Sequence, residues 1–189
     1  MKKTILTFAA FALLLTASAQ NVQTENWPNG SKKSEGAIIG DAVIDPTDSK
    51  EMQARKLTAV TKDGKWNYWY ENGQKRSEEQ YDKGIMTGNW KNWYENGQLE
   101  TEINFAAKKQ VNFHKNGKKH SEGGILPGMI HTGSWTGYHE NGTKNYEGSY
   151  SGNGEKEGTW MWWDDKGNLT TEQVYTSGTL VSSKDFTKK

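Results

Sequence analysis

From Gly64 onward the chain alternates between aromatic and polar positions in short runs, and most runs close on Asn-Gly or a similar pair. Residues 64–97 show it most plainly, reading GKWNYWYENGQKRSEEQYDKGIMTGNWKNWYENG. The phrase Gly-x-Trp-x-x-Trp-Tyr-Glu-Asn-Gly occurs there twice, displaced by 24 residues. A fixed period of this length marks a repeat architecture. Asn-Gly between alternating runs is the short-range signature of a β-hairpin with a two-residue type I′ turn. Each copy therefore predicts one hairpin, with both turn residues at positive φ.

Weaker copies extend the series in both directions. Turn glycines fall at Gly30, Gly73, Gly97, Gly117, Gly142 and Gly167. Nine residues before four of them stand Gly64, Gly88, Gly133 and Gly158, followed two places on by Trp66, Trp90, Trp135 and Trp160. The copy ending at Gly117 lacks both marks and carries Lys108 and Gln110 instead. Five residues after every turn glycine comes Glu35, Glu78, Glu102, Glu122, Glu147 or Glu172. Eight residues after comes a large apolar side chain: Ile38, Tyr81, Phe105, Ile125, Tyr150 or Tyr175.

A two-residue turn fixes the register. It predicts Tyr70 opposite Lys75, Trp66 opposite Glu79, and Gly64 opposite Tyr81; in the next copy Phe105 lies over Gly88, with Ile103 opposite Trp90. One face then carries Trp66, Tyr68, Tyr70 and Tyr81, and the other Lys65, Trp69, Arg76 and Glu78. The glycine facing a ring reads as bare backbone making room for it. The recurrent Glu reads as a cross-strand partner of Lys65, Lys91 or Arg76. The expected fold is all-β: an elongated single-layer antiparallel sheet of successive hairpins.

Outside the repeats, residues 1–19 read as a cleavable export leader. Lys2-Lys3 precedes an apolar run over 5–15, and Ala17-Ser18-Ala19 suits cleavage before Gln20. The run is too short for a transmembrane segment. Residues 20–63 hold a degenerate first copy around Trp27-Pro28-Asn29-Gly30 and an irregular insertion, with a short helix expected over 48–57. The regular copies occupy 64–178, and 179–189 form a closing edge strand and tail. Loss of Lys2 and Lys3 from 24 basic residues leaves 22 against 23 acidic ones. That balance gives nucleic acid no electrostatic purchase. There is no cysteine, so an exported chain of this kind is held by sheet pairing and its nine tryptophans.

The phrase ending Trp-Tyr-Glu-Asn-Gly-Gln, with Glu78 and Tyr81 downstream, resembles MORN repeats, and most closely the bacterial variant of YwqK-type antitoxin proteins. The similarity is sharp over 64–97, good over 133–178, and weak over 21–40 and 108–128. The resemblance implies a row of hairpins used as a protein- or lipid-interaction module without catalysis. It implies no functional residue set, and the export leader departs from the usual cytoplasmic setting of those proteins.

The residues themselves offer little chemistry. Of the histidines, His114 and His120 are expected on opposite faces, His131 in a connection, and His139 in the place of Tyr70. None has metal-ligand spacing, and no cofactor is implied. Gly148-Ser149-Tyr150-Ser151-Gly152 places no nucleophile at an elbow. Asp164-Asp165 and the serial glutamates single out no acid–base pair. Candidate partner-binding residues are the rings Trp66, Tyr70, Trp90, Tyr94, Trp135 and Trp160 with His139. Two functions fit: a protein-interaction scaffold with an antitoxin- or immunity-like role, and alternatively a cell-envelope glycan-binding module. Exposed coplanar rings would favour the glycan.

Overall fold

The computed structural model describes residues 21–40, 49–50 and 61–188. The leader over 1–19, and the helix expected over 48–57 apart from residues 49–50, lie outside the described residues. Thirteen strands follow one another: β1 (Asn21–Asn26), β2 (Lys32–Ile39), β3 (Thr61–Trp69), β4 (Lys75–Asp82), β5 (Ile85–Trp93), β6 (Leu99–Asn104) and β7 (Lys109–Phe113). Then come β8 (Lys119–Leu126), β9 (Ile130–Tyr138), β10 (Lys144–Tyr150), β11 (Lys156–Trp163), β12 (Leu169–Thr176) and β13 (Thr179–Asp185). They form one antiparallel sheet in sequence order, as the hairpin pattern predicts.

The Asn-Gly turns differ from the expected type. Gly73 has φ 83°, but Asn72 is not in the left-handed region, and the same holds for Gly97 and Asn96. Gly73 N donates to Tyr70 O at 2.9 Å, and Tyr70 N donates to Gln74 O at 2.8 Å. The loop thus has three residues, a type I turn followed by a left-handed glycine. Asn72 Oδ1 accepts from Gln74 N at 2.9 Å, which holds the asparagine in the right-handed well. Tyr70 consequently faces Gln74 rather than Lys75. A bulge between Tyr68 and Trp69 then leaves Arg76 as the extra residue. The longer loop and the bulge offset one another, so Trp66 still opposes Glu79 and Gly64 still opposes Tyr81. Two-residue loops with both φ positive do occur, but in the links between copies, at Lys83-Gly84 and Ser177-Gly178.

A second irregularity recurs at the start of each copy. Gly36 pairs with Trp66, but Ala37 pairs with Asp63, so Gly64 and Lys65 are two extra residues on β3. The same two-residue bulge occurs on β5, β9 and β11. Its left-handed residue is Gly64, Gly88, Gly133 or Gly158, with φ between 61° and 69°. A Cβ on Gly64, Gly133 or Gly158 would meet nothing within 4 Å. The glycine is therefore needed for its backbone angle, not to admit the facing ring. β7, which lacks both glycine and tryptophan, pairs with β6 without any shift.

The bulge places the indole across the preceding strand. Trp66 Nε1 donates to Ala37 O at 2.8 Å, Trp90 to Gln80 O at 3.0 Å, Trp135 to Gly124 O at 2.9 Å and Trp160 to Ser149 O at 3.1 Å. Here bare backbone is needed for room: a Cβ on Gly36, Gly123 or Gly148 would lie 2.2, 2.3 or 2.1 Å from the Trp66, Trp135 or Trp160 ring. Ile38, Trp66, Tyr81, Trp90, Ile103 and Ile125 form one buried cluster on this indole face, and Trp135 and Trp160 are the largest fully buried side chains.

The two kinds of glycine respond differently to alanine. Gly64→Ala forces a side chain into the left-handed region and costs about 1–2 kcal/mol. Gly123→Ala overpacks the backbone against Trp135 and costs about 1–3 kcal/mol. Urea unfolding measures both losses, and only Gly123→Ala shifts the native tryptophan emission.

Candidate functional site

The surfaces a partner can reach are the two faces and the row of turns. At the turns, the side chain three places before each turn glycine reaches a backbone carbonyl of the following copy. Trp27 Nε1 donates to Trp69 O at 3.2 Å, Tyr70 OH to Trp93 O at 2.7 Å and Tyr94 OH to Phe113 O at 2.8 Å. His114 Nε2 bonds Tyr138 O and His139 Nε2 bonds Trp163 O, each at 2.8 Å. His139 thus repeats the role of Tyr70, as its position predicts. The turn asparagines add a second tie. Asn96 Nδ2 reaches Lys115 O at 3.3 Å, Asn116 Nδ2 reaches Glu140 O at 3.1 Å, and Asn141 Nδ2 reaches Asp165 O at 2.7 Å. Asp164 ends the series: it has no donor, and its carboxylate accepts from Lys166 N, Asn168 N and Asn168 Nδ2 within its own loop.

The opposite face carries charge over rings. Lys65 pairs with Glu78 at 2.9 Å and Lys91 with Glu102 at 3.3 Å, as the register predicts. Arg76 does not join them; displaced by the bulge, it lies over Tyr68. The sequence reading missed the lysine two places after the turn glycine. Lys32, Lys75, Lys119 and Lys144 each pair with the glutamate three residues on. Each ammonium also covers a ring of the next copy: Trp69, Trp93, Tyr138 or Trp163. Lys at that place in four of six copies was the available signal. Gly36, Gly123 and Gly148, each directly after the recurrent Glu, were equally visible and equally missed.

Across the indole face, Trp66, Trp90, Trp135 and Trp160 are buried, with 2–7% of their surface exposed. Tyr70, Tyr94 and His139 are half-buried between copies. The residue two places before Gly64, Gly133 and Gly158 lies over the indole that follows. Lys62 sits 4.9–5.0 Å from the centroids of Trp66, Tyr68 and Tyr81. Lys156 stands in the same way over Trp160, Trp162 and Tyr175, at 4.4–5.0 Å. His131, expected in a connection, is in β9 and stacks on Trp135 with centroids 3.9 Å apart. Burial lowers its pKa.

Glu79 occupies the place of the missing glycine beneath Trp90. It accepts from Tyr81 OH at 2.8 Å and from Ser77 Oγ at 3.1 Å, with Lys62 Nζ 3.9 Å away. Burial, and then this carboxylate, push the Tyr68 and Tyr81 hydroxyls well above the ordinary phenol value. His114 and His120, expected on opposite faces, are in contact with centroids 4.6 Å apart. The bulge between Asn112 and Phe113 turns them to one side. No group of three or more metal-ligating side chains lies among the described residues. Each buried side-chain nitrogen or oxygen among them has a hydrogen-bond partner.

Residues 62–83, 86–107 and 132–151 match the model of the MORN repeat variant. These segments are the hairpins β3–β4, β5–β6 and β9–β10, so three of the chain's hairpins match that repeat. No curated protein matches the chain.

The ion pairs predict an acid-sensitive limb of stability. Lys119, then Lys109, hydrogen-bond the Glu122 carboxylate and hold its pKa down at about 2. The folded value lies below the unfolded one of about 4.3. Its contribution is therefore complete above about pH 5 and is lost as pH falls towards 2. Chemical denaturation between those pH values should show a shallower decline for Glu122→Gln than for the parent chain.

Proposed function

We propose that this protein is an exported, non-catalytic repeat scaffold that docks a protein partner on its indole face. One observation carries the reading. All thirteen strands lie in one sheet, so among the described residues no second layer covers that face. A broad apolar surface of this kind is how a protein presents an interaction site. The buried indoles form its floor, and the half-buried rings Tyr68, Tyr150, Trp162 and Tyr175 are what a partner reaches. Tyr70, Tyr94 and His139 support that surface by tying the copies together. Neutralising a toxin, as an antitoxin or immunity protein does, is one role such a scaffold can play. Export rests on the Lys2-Lys3 and apolar leader.

The alternative, a glycan-binding module, needs bare ring faces for sugars to stack on. Lys62, His131 and Lys156 lie across the indoles. That covering favours a protein partner.

Mass spectrometry of protein made in a bacterium with an intact export pathway should find Gln20 first. A mature species keeping Met1 would remove the export claim. The exported chain, used as bait, identifies the partner, and titration then tests the face. The double variant Tyr68→Ser with Trp162→Ser should lose about 30-fold in affinity, while Tyr70→Phe changes it little. Full affinity in a double variant with native circular dichroism would reject the indole face. Saturable binding to a glycan array by a chain that captures no protein would turn the reading to the alternative.

A further inference from the structure

The row of indoles is interrupted once, and an apolar cleft lies beside the interruption. In the fourth copy Ala106, Lys108 and Gln110 stand where β3 has Lys62, Gly64 and Trp66. The start of β5, the β6–β7 link and the β8–β9 link enclose a cleft of about 450 Å³. Ile85, Met86, Phe105, Ile125, Leu126 and Pro127 supply its apolar walls. Among the described residues, Thr87 and Lys108 are the only polar residues in its lining, and Lys108 also borders the neighbouring hollow beside Glu122.

Lys108 is fixed by its backbone. Its φ is 51°, its N–H donates to Phe105 O at 3.3 Å, and its carbonyl accepts from Ile125 N at 3.0 Å. Its ammonium has no ion pair among the described residues. At the mouth, Ile85 is 72% exposed and Met86 40% exposed. A cleft of this size, mostly apolar with one or two placed polar groups, has the make-up of a small-molecule site.

We propose that this cleft binds a small amphipathic carboxylate, its alkyl chain along the apolar walls and its carboxylate on the Lys108 ammonium. The unpaired cation selects an anionic head group. The scarcity of other polar groups disfavours a peptide, whose amides would be buried without partners. The site lies at the link end of the hairpins and does not depend on the scaffold reading.

Isothermal titration of the mature chain with dodecanoate, below its micellar concentration, tests the site. One saturable site is expected, tightening severalfold for each methylene from octanoate upward until the cleft is full. Lys108→Gln should weaken dodecanoate about tenfold and leave dodecanol unchanged. Ala106→Phe, which fills the cleft, should abolish binding of both. Ile85→Glu, at an exposed position that tolerates charge, should repel dodecanoate even if the filled variant does not fold. No saturable binding to the parent chain overturns the proposal. So does dodecanoate affinity that is unchanged in Ile85→Glu or Lys108→Gln.

Discussion

Everything in this sheet follows from a two-residue bulge that a left-handed glycine makes possible. At Gly64, Gly88, Gly133 and Gly158 the strand gains two residues on its neighbour. The gain swings the following tryptophan over the preceding strand, where its N–H meets a carbonyl. One backbone angle thus sets ring position, burial and the joint between copies. The fourth copy is the natural control: glycine, tryptophan and bulge are all missing together.

The periodic skeleton was legible because it is written in residues that backbone geometry demands. Turn glycines, alternating rings and the Glu–Lys register could be read directly. The turn type could not, because Asn-Gly suits two loops whose difference is one φ angle at Asn72. The longer loop and the compensating bulge left the register of Trp66 and Tyr81 intact, so the mistake was invisible further along the strand. It did reach Arg76, His114 and His120, which sit beside the bulges. The candidate rings were legible as a set, but not by depth. Alternation gives a face, and whether Trp66 or Tyr68 is nearer solvent depends on which indole crosses onto Gly36.

The two faces divide the labour. On one, indoles form a floor beneath smaller or half-buried rings, a surface with area to offer a partner. On the other, Lys75, Lys119 and Lys144 each bind a glutamate of their own copy and a ring of the next. Surface ion pairs contribute little singly. Where they recur, backed by rings, they join a hairpin to its successor and keep that face polar.

The unbulged joint between β6 and β7 gives the molecule an internal grain. In a linear array, stability is shared between units and the couplings of nearest neighbours. Here the copies to either side are coupled through an indole, and this joint relies instead on Ile103, Ile125, the Tyr94 and Asn96 hydrogen bonds to Phe113 O and Lys115 O, and the backbone ladder. Heat or denaturant will find that boundary first, so the sheet should loosen as two blocks instead of melting as one. A chain that looks uniform along its length is, in cooperative terms, a pair.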